Sequence, residues 1–417
     1  MQVRDVTITK NLQSVYSTFY VLNILLNIFA LNSNGRKETI SSKYHAVFKS
    51  LVASTILGSI NFYTMFYKVS NVYHQVILSI KFTDMVQMVY DFCQYIVDLF
   101  FVYQYGRELS VEYFKQYENI DKILGVAYYS TVKNKMLKLI TISLCIWSLS
   151  SACDYAAWVL SFGWMNSTVY SIAYFYLLIK ILTTLDLSAH ALNIECRLRS
   201  ISDILQACYR RADFLPEIKV DYINNKHWLY SDACSRALKL QMQYDPDKIP
   251  YNISRDVKSL TRCYLMLTEQ VAFINKMFGI RILMNMLSFL IDMIRFTNIA
   301  VRVVIGTQQM VYDSGYFTAV SSTMRLLNCV SVIISLVYYC ERVYRQKEHI
   351  LNVIDHLLIN KKPTDHLRDD VTELRDLIQS RSLRFNMANF FTLNYSLLIS
   401  LASVVVTYTI IILQSMN

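Results

Sequence analysis

Eight long apolar segments constrain this chain more than any other feature. A helix needs about 20 mostly apolar residues to cross the hydrocarbon core of a bilayer. The chain has only 8 glycines and 4 prolines in 417 residues, so folds that depend on many tight turns are excluded. We therefore predict an all-α integral membrane protein. The apolar segments cover residues 12–31, 46–67, 76–103, 137–163, 167–190, 279–306, 317–341 and 393–414.

The first apolar segment is weaker than the other seven because it carries Asn23 and Asn27. We expect it to form an interfacial or re-entrant helix in a cytoplasmic N-terminal region, followed by seven transmembrane helices. The predicted organisation is an N-terminal region at 1–45, spans one to four in 46–190, a cytoplasmic region at 191–278, spans five and six in 279–341, a second cytoplasmic region at 342–392, and a last span in 393–417.

The distribution of Lys and Arg predicts the orientation, since positively charged loops stay in the cytoplasm. With residues 1–45 inside, the cytoplasmic regions hold 32 of the 41 Lys and Arg residues, and the outside loops hold one, Lys68. The N-terminus is therefore predicted to be cytoplasmic and the C-terminus extracellular. The net charge of +10 follows from this topology, so we expect membrane lipids and no nucleic acid as partners.

The cytoplasmic regions continue the helical patterns of the late spans, and residues 366–391 add an amphipathic pattern. We predict an intracellular helical bundle, the anchor region, with the proline-containing segment 214–251 as its flexible part. The amphipathic face of 366–391 comprises Leu367, Val371, Leu374, Ile378 and Arg381.

Polar residues inside the spans form helical stripes. Ionisable residues in a membrane segment are costly and mark faces that point into the bundle. Two interpretations are open, and both can hold for different residues. The charges can pair with one another to hold the bundle together, with Asp292 and Arg295 able to pair along one helix. They can also line a water-accessible pocket for a small polar or amphipathic ligand. The pocket candidates in the outer halves of the spans are Gln87, Tyr90, Asp91, Asp154, Trp158, Tyr174, Arg295, Asn298, Arg325 and Asn328.

The last span has no charged residue, and its polar residues share one helical face. Small residues of this kind favour a close helix–helix seam. The same face can also line a pore, if several copies of the chain surround a symmetry axis. The face comprises Ser396, Ser400, Ser403, Thr407 and Gln414, with Ile411 in the same register.

The end of the chain carries a short motif: Thr407-Tyr408, five further residues that are mostly hydrophobic, and Gln414. It resembles the tail signature of insect gustatory receptors, which ends in Gln-Phe. This chain has Ser415 where the signature has Phe. The length and the inverted seven-span topology also agree with that family along nearly the whole chain.

The resemblance implies a ligand-gated, non-selective cation channel in the plasma membrane of chemosensory neurons. The expected assembly is a homo- or heterotetramer with other gustatory receptor subunits, and the expected ligand is a small tastant. Sugar receptors of the family tend to have Glu where this chain has Thr409, so a bitter-type or divergent receptor is favoured. Because Ser415 replaces the gate-associated Phe, we expect Ile411 to form the constriction. The predicted pore residues are Ser403, Thr407, Tyr408, Ile411, Gln414 and Ser415.

Other functions remain to be separated from this one. An odorant-receptor-like subunit, or a co-receptor of a heteromeric channel, shares the predicted architecture. A secondary transporter would use the buried Asp and Arg residues as an ion relay, but no internal repeat supports it. The histidines lack metal-site spacing and no phosphate-binding loop or nucleophile elbow is present, so we predict no enzymatic activity, no metal site and no cofactor.

Overall fold

The computed structural model describes residues 10–31, 40–75, 78–108, 113–124, 129–211, 253–306, 316–360 and 365–414. These residues form ten α-helices, a single 3-10 turn at Tyr73–Gln75 and a two-stranded antiparallel hairpin of β1 (Asn386–Met387) and β2 (Phe391–Thr392). The helices are α1 (Lys10–Ile28), α2 (Ile40–Asn71), α3 (Leu78–Glu108), α4 (Phe114–Leu124), α5 (Tyr129–Tyr170), α6 (Ile172–Arg211), α7 (Ile253–Ile305), α8 (Tyr316–Asn360), α9 (Asp365–Ser380) and α10 (Tyr395–Gln414).

The apolar segments coincide with helices, and the prediction of an all-α membrane protein is confirmed. Five helices contain stretches that are long and apolar enough to cross a bilayer, namely α3, α5, α6, α7 and α8. The other two predicted spans form helices in the expected places: α2 has 32 residues and α10 has 20. At 1.5 Å per residue, α10 is about 30 Å long, which is the thickness of the hydrocarbon core.

The connection between the third and fourth predicted spans differs from the expectation of an outside loop at 164–166. Residues 164–170 are helical, and the chain turns at Ser171 instead. The direction changes at Gly163, whose φ of 80° and ψ of 165° interrupt α5. That conformation is essentially restricted to glycine. The Ser167 hydroxyl donates to the Gly163 carbonyl across the break (2.8 Å). The segment 164–170, called the lid below, therefore continues the helical path after a bend.

Helix α6 occupies the centre of the bundle. Every residue from 179 to 198 is buried, including charged ones such as Lys180 and Arg197. Helices α7 and α8 pack along it and share one hydrophobic core with it. The central helix therefore has protein on all sides, whereas α2 leaves many large apolar side chains on the outer surface.

The late helices run without a break from the predicted spans into the predicted anchor region. Helix α4 lies between the second and third predicted spans, where the sequence predicts no membrane segment, and it also packs there, with Phe114 and Tyr117 buried. In α9, Leu367, Val371, Leu374 and Ile378 are buried, as their spacing predicts. Arg381 follows the end of the helix and is exposed, so it is not part of that face. Segment 214–251 lies outside the described residues.

Candidate functional site

The outermost buried ion cluster joins three helices. Asp84 of α3 accepts from Lys68 of α2 at 2.8 Å and lies 2.8 Å from Nη2 of Arg295 on α7. The Tyr73 hydroxyl, in the turn after α2, donates to the same carboxylate at 2.7 Å. All four side chains are buried. One carboxylate thus serves two cations.

An aromatic cleft lies beside this cluster and is called the outer cleft. Trp158 stacks on Tyr170 with ring centroids 4.3 Å apart, and on Phe162 at 4.8 Å. The water-accessible volume is about 20 Å³, which is room for roughly one water molecule. The cleft is therefore nearly closed. Its lining residues are Tyr67, Lys68, Val72, Tyr73, Asp84, Trp158, Asn166, Tyr170, Arg295 and Ile299.

A second cluster lies deeper and has the opposite charge balance. Lys180 of α6 lies 2.6 Å from Asp292 of α7 and 3.1 Å from Asp91 of α3. Ser288 donates to Asp91 at 2.8 Å, and the Gln87 amide donates to both Asp91 (2.7 Å) and Ser288 (2.9 Å). Here one cation serves two carboxylates.

The third cluster is centred on Asp154 of α5. Its carboxylate accepts from Nη1 of Arg325 on α8 (2.8 Å), from the Ser321 hydroxyl (2.8 Å) and from the Tyr174 hydroxyl of α6 (2.9 Å). Arg325 also lies against the Tyr174 ring, 4.8 Å from its centroid. This arrangement ties α5, α6 and α8 together with matched charges.

The ten pocket candidates therefore divide among neighbouring polar clusters instead of lining one open cavity. Of those outside the three main clusters, Asn328 donates to Ser150 (3.2 Å), Asn298 accepts from Arg302 (2.7 Å) and Tyr90 donates to the Met284 carbonyl (3.1 Å). Asp292 and Arg295 do not pair along their own helix, because each has a partner on another helix.

Several residues that complete these clusters are missing from the ten pocket candidates predicted from the sequence. Lys68 is the clearest case, since it is the single cation of the predicted outside loops. A single lysine at the outer end of a span departs from the general charge pattern, and this departure could have marked Lys68 as a bundle-facing residue. Tyr73 and Tyr170 gave no comparable signal, because tyrosines are common at membrane interfaces.

The last helix, α10, lies at the edge of the bundle. Its packing side consists of Leu397, Leu398, Leu401 and Val405. The predicted polar line points roughly 140° away from that side at 100° per residue, and Ser403, Thr407, Ile411 and Gln414 are exposed. Tyr408 lies about 100° from the polar line. Ser415 lies outside the described residues. The polar line is therefore not a seam within this chain's own bundle.

A hairpin connects the anchor region to α10. The Asn275 amide donates to the Arg384 carbonyl (2.8 Å), and its oxygen accepts from the Asn386 N–H (3.0 Å). The hairpin lies so close to Gly279 of α7 that an added Cβ would be 3.0 Å from the Ala388 nitrogen. Helix α7 thus contacts the hairpin that precedes α10 near its own midpoint, and it carries Asp292 and Arg295 nearer its C-terminal end.

A buried ion pair fixes α4 in the anchor region. Arg197 of α6 donates through Nε (3.0 Å) and Nη2 (2.8 Å) to the two oxygens of Asp121. The guanidinium stacks over the Tyr117 ring at 3.8 Å. Burial raises the pKa of Tyr117 to about 12, although Arg197 opposes this shift. Tyr117 is therefore neutral at physiological pH, and the bidentate pair supplies the charge contact.

Comparison with known proteins places this architecture. The family model for the 7tm chemosensory receptor matches residues 12–415. The olfactory receptor OR5 of Machilis hrabei, solved in complex with eugenol, is similar with a TM-score of 0.61 and 14% identity. A second structure of OR5 gives 0.60 and 12%. Both alignments cover 97% of this chain and 100% of the other. No curated protein sequence matches significantly. The chain belongs to the 7tm chemosensory receptor family.

Proposed function

We propose that this chain is a subunit of a ligand-gated, non-selective cation channel in which four copies surround one pore lined by α10. The observation that carries the proposal is the direction of the polar line on α10. This helix has the length of a membrane span, yet the five polar residues of the line face away from its own bundle, namely Ser396, Ser400, Ser403, Thr407 and Gln414. Polar side chains in a membrane segment normally face protein or water.

One helix cannot enclose a pore, but four copies around an axis can. The hydroxyls of Ser403 and Thr407 would then offer oxygen atoms to passing cations. Ile411, one turn further out, would form an apolar ring that closes the pore by dewetting. Gln414 would lie at the outer mouth.

We place the ligand site of the proposed receptor among the outer polar clusters, between α2, α3, α5, α6, α7 and α8. The clusters join helices through charge pairs, so a ligand that competes for one partner changes the relative positions of the helices. Helix α7 transmits this change to the hairpin, which packs against Gly279 and leads into α10. We propose a small bitter-type or divergent tastant as the ligand, and chemosensory neurons as the site of expression.

Patch recording from cells that express only this chain tests the proposal. Thr407→Val and Ile411→Ala are expected to change conductance or basal opening, because both alter the proposed pore face. Val406→Ala is the matched control, since it changes a neighbouring apolar residue about 100° away around α10. Asp154→Ala is expected to shift ligand response with unchanged conductance. If the two pore variants behave like Val406→Ala, α10 does not line a pore.

A second candidate is an odorant-receptor-like subunit or co-receptor of a heteromeric channel, which the likeness to the two OR5 structures favours. It predicts no current from this chain alone and a ligand-evoked current when a partner subunit is co-expressed. Gradient-driven uptake without single-channel currents would instead support a transporter.

A further inference from the structure

We propose that the outer cleft binds the anionic group of an aromatic weak acid, with a carboxylate as the group recognised by Lys68 and Arg295. This inference deepens the proposed function by naming a ligand class. It concerns binding only, so it stands or falls separately from channel activity.

The first argument is charge balance. Lys68 and Arg295 share Asp84, which leaves one positive charge without a matching carboxylate among the residues that the structure describes. Their side chains are only 6% and 4% exposed. A buried charge without a counter-charge is strongly unfavourable. An incoming carboxylate would complete a two-cation, two-anion arrangement.

The second argument is an available donor. Nε of Arg295 is buried and has no hydrogen-bond acceptor among the residues that the structure describes. Both cations also face one aromatic ring: Lys68 Nζ lies 3.9 Å and the Arg295 guanidinium 5.4 Å from the Tyr170 centroid. Their charges are thus concentrated on one side of the cleft, where a carboxylate can accept from both.

The deeper cluster has the opposite charge balance, so the proposed carboxylate site is specific to the outer cluster. There Lys180 lies between Asp91 and Asp292, so the excess charge is negative and an anion would be repelled. The Asp154 cluster is matched. Among these three clusters, only the outer one has the charge to attract a carboxylate.

The aromatic body of the ligand would take its place in the stack formed by Trp158 and Tyr170. Because the cleft has room for about one water molecule, a ring enters only if these two side chains separate. Tyr170 belongs to the lid, which follows the bend at Gly163. Lid displacement is therefore the expected consequence of binding.

The test uses the purified full-length protein in phosphatidylcholine nanodiscs and three probes of similar shape: phenylacetate, phenylacetamide and the phenethylammonium ion. The midpoint of thermal unfolding is measured against probe concentration. Phenylacetate is expected to raise the midpoint with an apparent affinity at least about tenfold higher than the amide, and the ammonium ion to bind weakest. This comparison needs no variant. Equal effects of acid and amide, or a stronger effect of the ammonium ion, would overturn the proposal.

Variants then locate the effect. Lys68→Met is expected to remove the preference for the acid, whereas Lys68→Arg keeps it. Lys258→Met is the matched control, because Lys258 is an exposed lysine of the anchor region that pairs with Asp370 of α9 (3.3 Å), and its removal should leave the preference intact. Inorganic phosphate at equal ionic strength is the last arm. A midpoint shift as large as that of phenylacetate would show that the cleft takes any anion and would overturn the aromatic part.

Discussion

Helices α6 and α10 both contain a long apolar stretch, yet they occupy opposite environments in the fold. Residues 179–198 of α6 are buried without exception, and they include Lys180, His190 and Arg197. Helix α10 has no charged residue and is exposed along most of its length. The charged helix lies in the centre of the bundle and the uncharged one lies at its edge.

The contrast shows where each helix finds partners for its polar groups. A charge in α6 needs a counter-charge from a neighbouring helix, so α6 requires protein on every side. The hydroxyls of α10 make smaller demands, and Ser400 and Thr409 donate to carbonyls one turn earlier in their own helix. The polar line of α10 can therefore remain exposed in one subunit and be available to others. The following predictions test this difference.

The largest effect is expected at Lys180, in the buried first half of α6. Lys180→Met leaves Asp91 and Asp292 without their shared cation, and breaking such a buried pair costs about 3–5 kcal/mol. The measurement is the thermal unfolding of the purified protein together with its surface expression. Lys180→Met combined with Asp292→Asn should recover part of the loss, since it removes one of the unpaired charges. No recovery would mean that the two residues are not energetically coupled.

A smaller loss of stability is expected where α7 contacts the hairpin that precedes α10. Gly279→Ala places a methyl group 3.0 Å from the Ala388 nitrogen, and overpacking of this kind costs about 1–3 kcal/mol. The hairpin must move, so basal opening of the channel should change as well. Ile280→Val is the control, because Ile280 is an exposed neighbour on the same helix. Unchanged basal opening in Gly279→Ala would separate the hairpin from the gate.

The bend at Gly163 is expected to have a similar or smaller cost. An added Cβ would meet no atom within 4 Å, so Gly163→Ala is opposed only by backbone conformation, at about 1–3 kcal/mol. The unfolding midpoint should fall and the lid should change position, with an altered ligand response. Met165→Ala, at an exposed position of the lid, should change neither. Equal stability of the two variants would show that the bend does not require glycine.

The smallest effect on stability is expected on α10. Thr407→Val alters an exposed position and should change the free energy of unfolding by less than about 0.5 kcal/mol, even if conductance changes. Leu401→Ala, on the packing side of the same helix, should cost more. The two unfolding midpoints measured side by side test this. A large loss in Thr407→Val would mean that its hydroxyl makes a contact that stabilises the subunit.

Much of the fold was predictable because apolar length and 3.6-residue periodicity are local properties. The spans, the long late helices and the buried face of α9 followed from these patterns. Helix α4 was missed, since its 11 residues are too short and polar to resemble a span. The continuation of α5 beyond Gly163 was missed because Gly163 and the polar run Asn166-Ser167-Thr168, which separate two apolar segments, are typical of a loop.

The candidate site was predictable by residue type but not by partner. Asp84 shares a helical face with Asp91, seven residues later, which marks it as a bundle-facing residue. Its partner Arg295, however, lies 211 positions away along the chain. Helical spacing suggested Arg295 as a partner for Asp292. In the structure, Asp292 instead forms an ion pair with Lys180 on another helix. Pairing across helices depends on their relative rotation and depth, which spacing within one helix does not contain.

The sequence by itself determined that this chain is helical, that it lies in a membrane and that its polar residues are grouped in stripes. These properties arise from the hydrophobic effect and from the need to satisfy backbone hydrogen bonds in lipid, and both act on each segment separately. Only the tertiary structure decided which cation meets which carboxylate, which helix is central, and that the polar line of α10 faces outward. Those outcomes depend on the packing of whole helices against one another, because a buried charge is stabilised only by counter-charges and hydrogen-bond partners on the neighbouring helices.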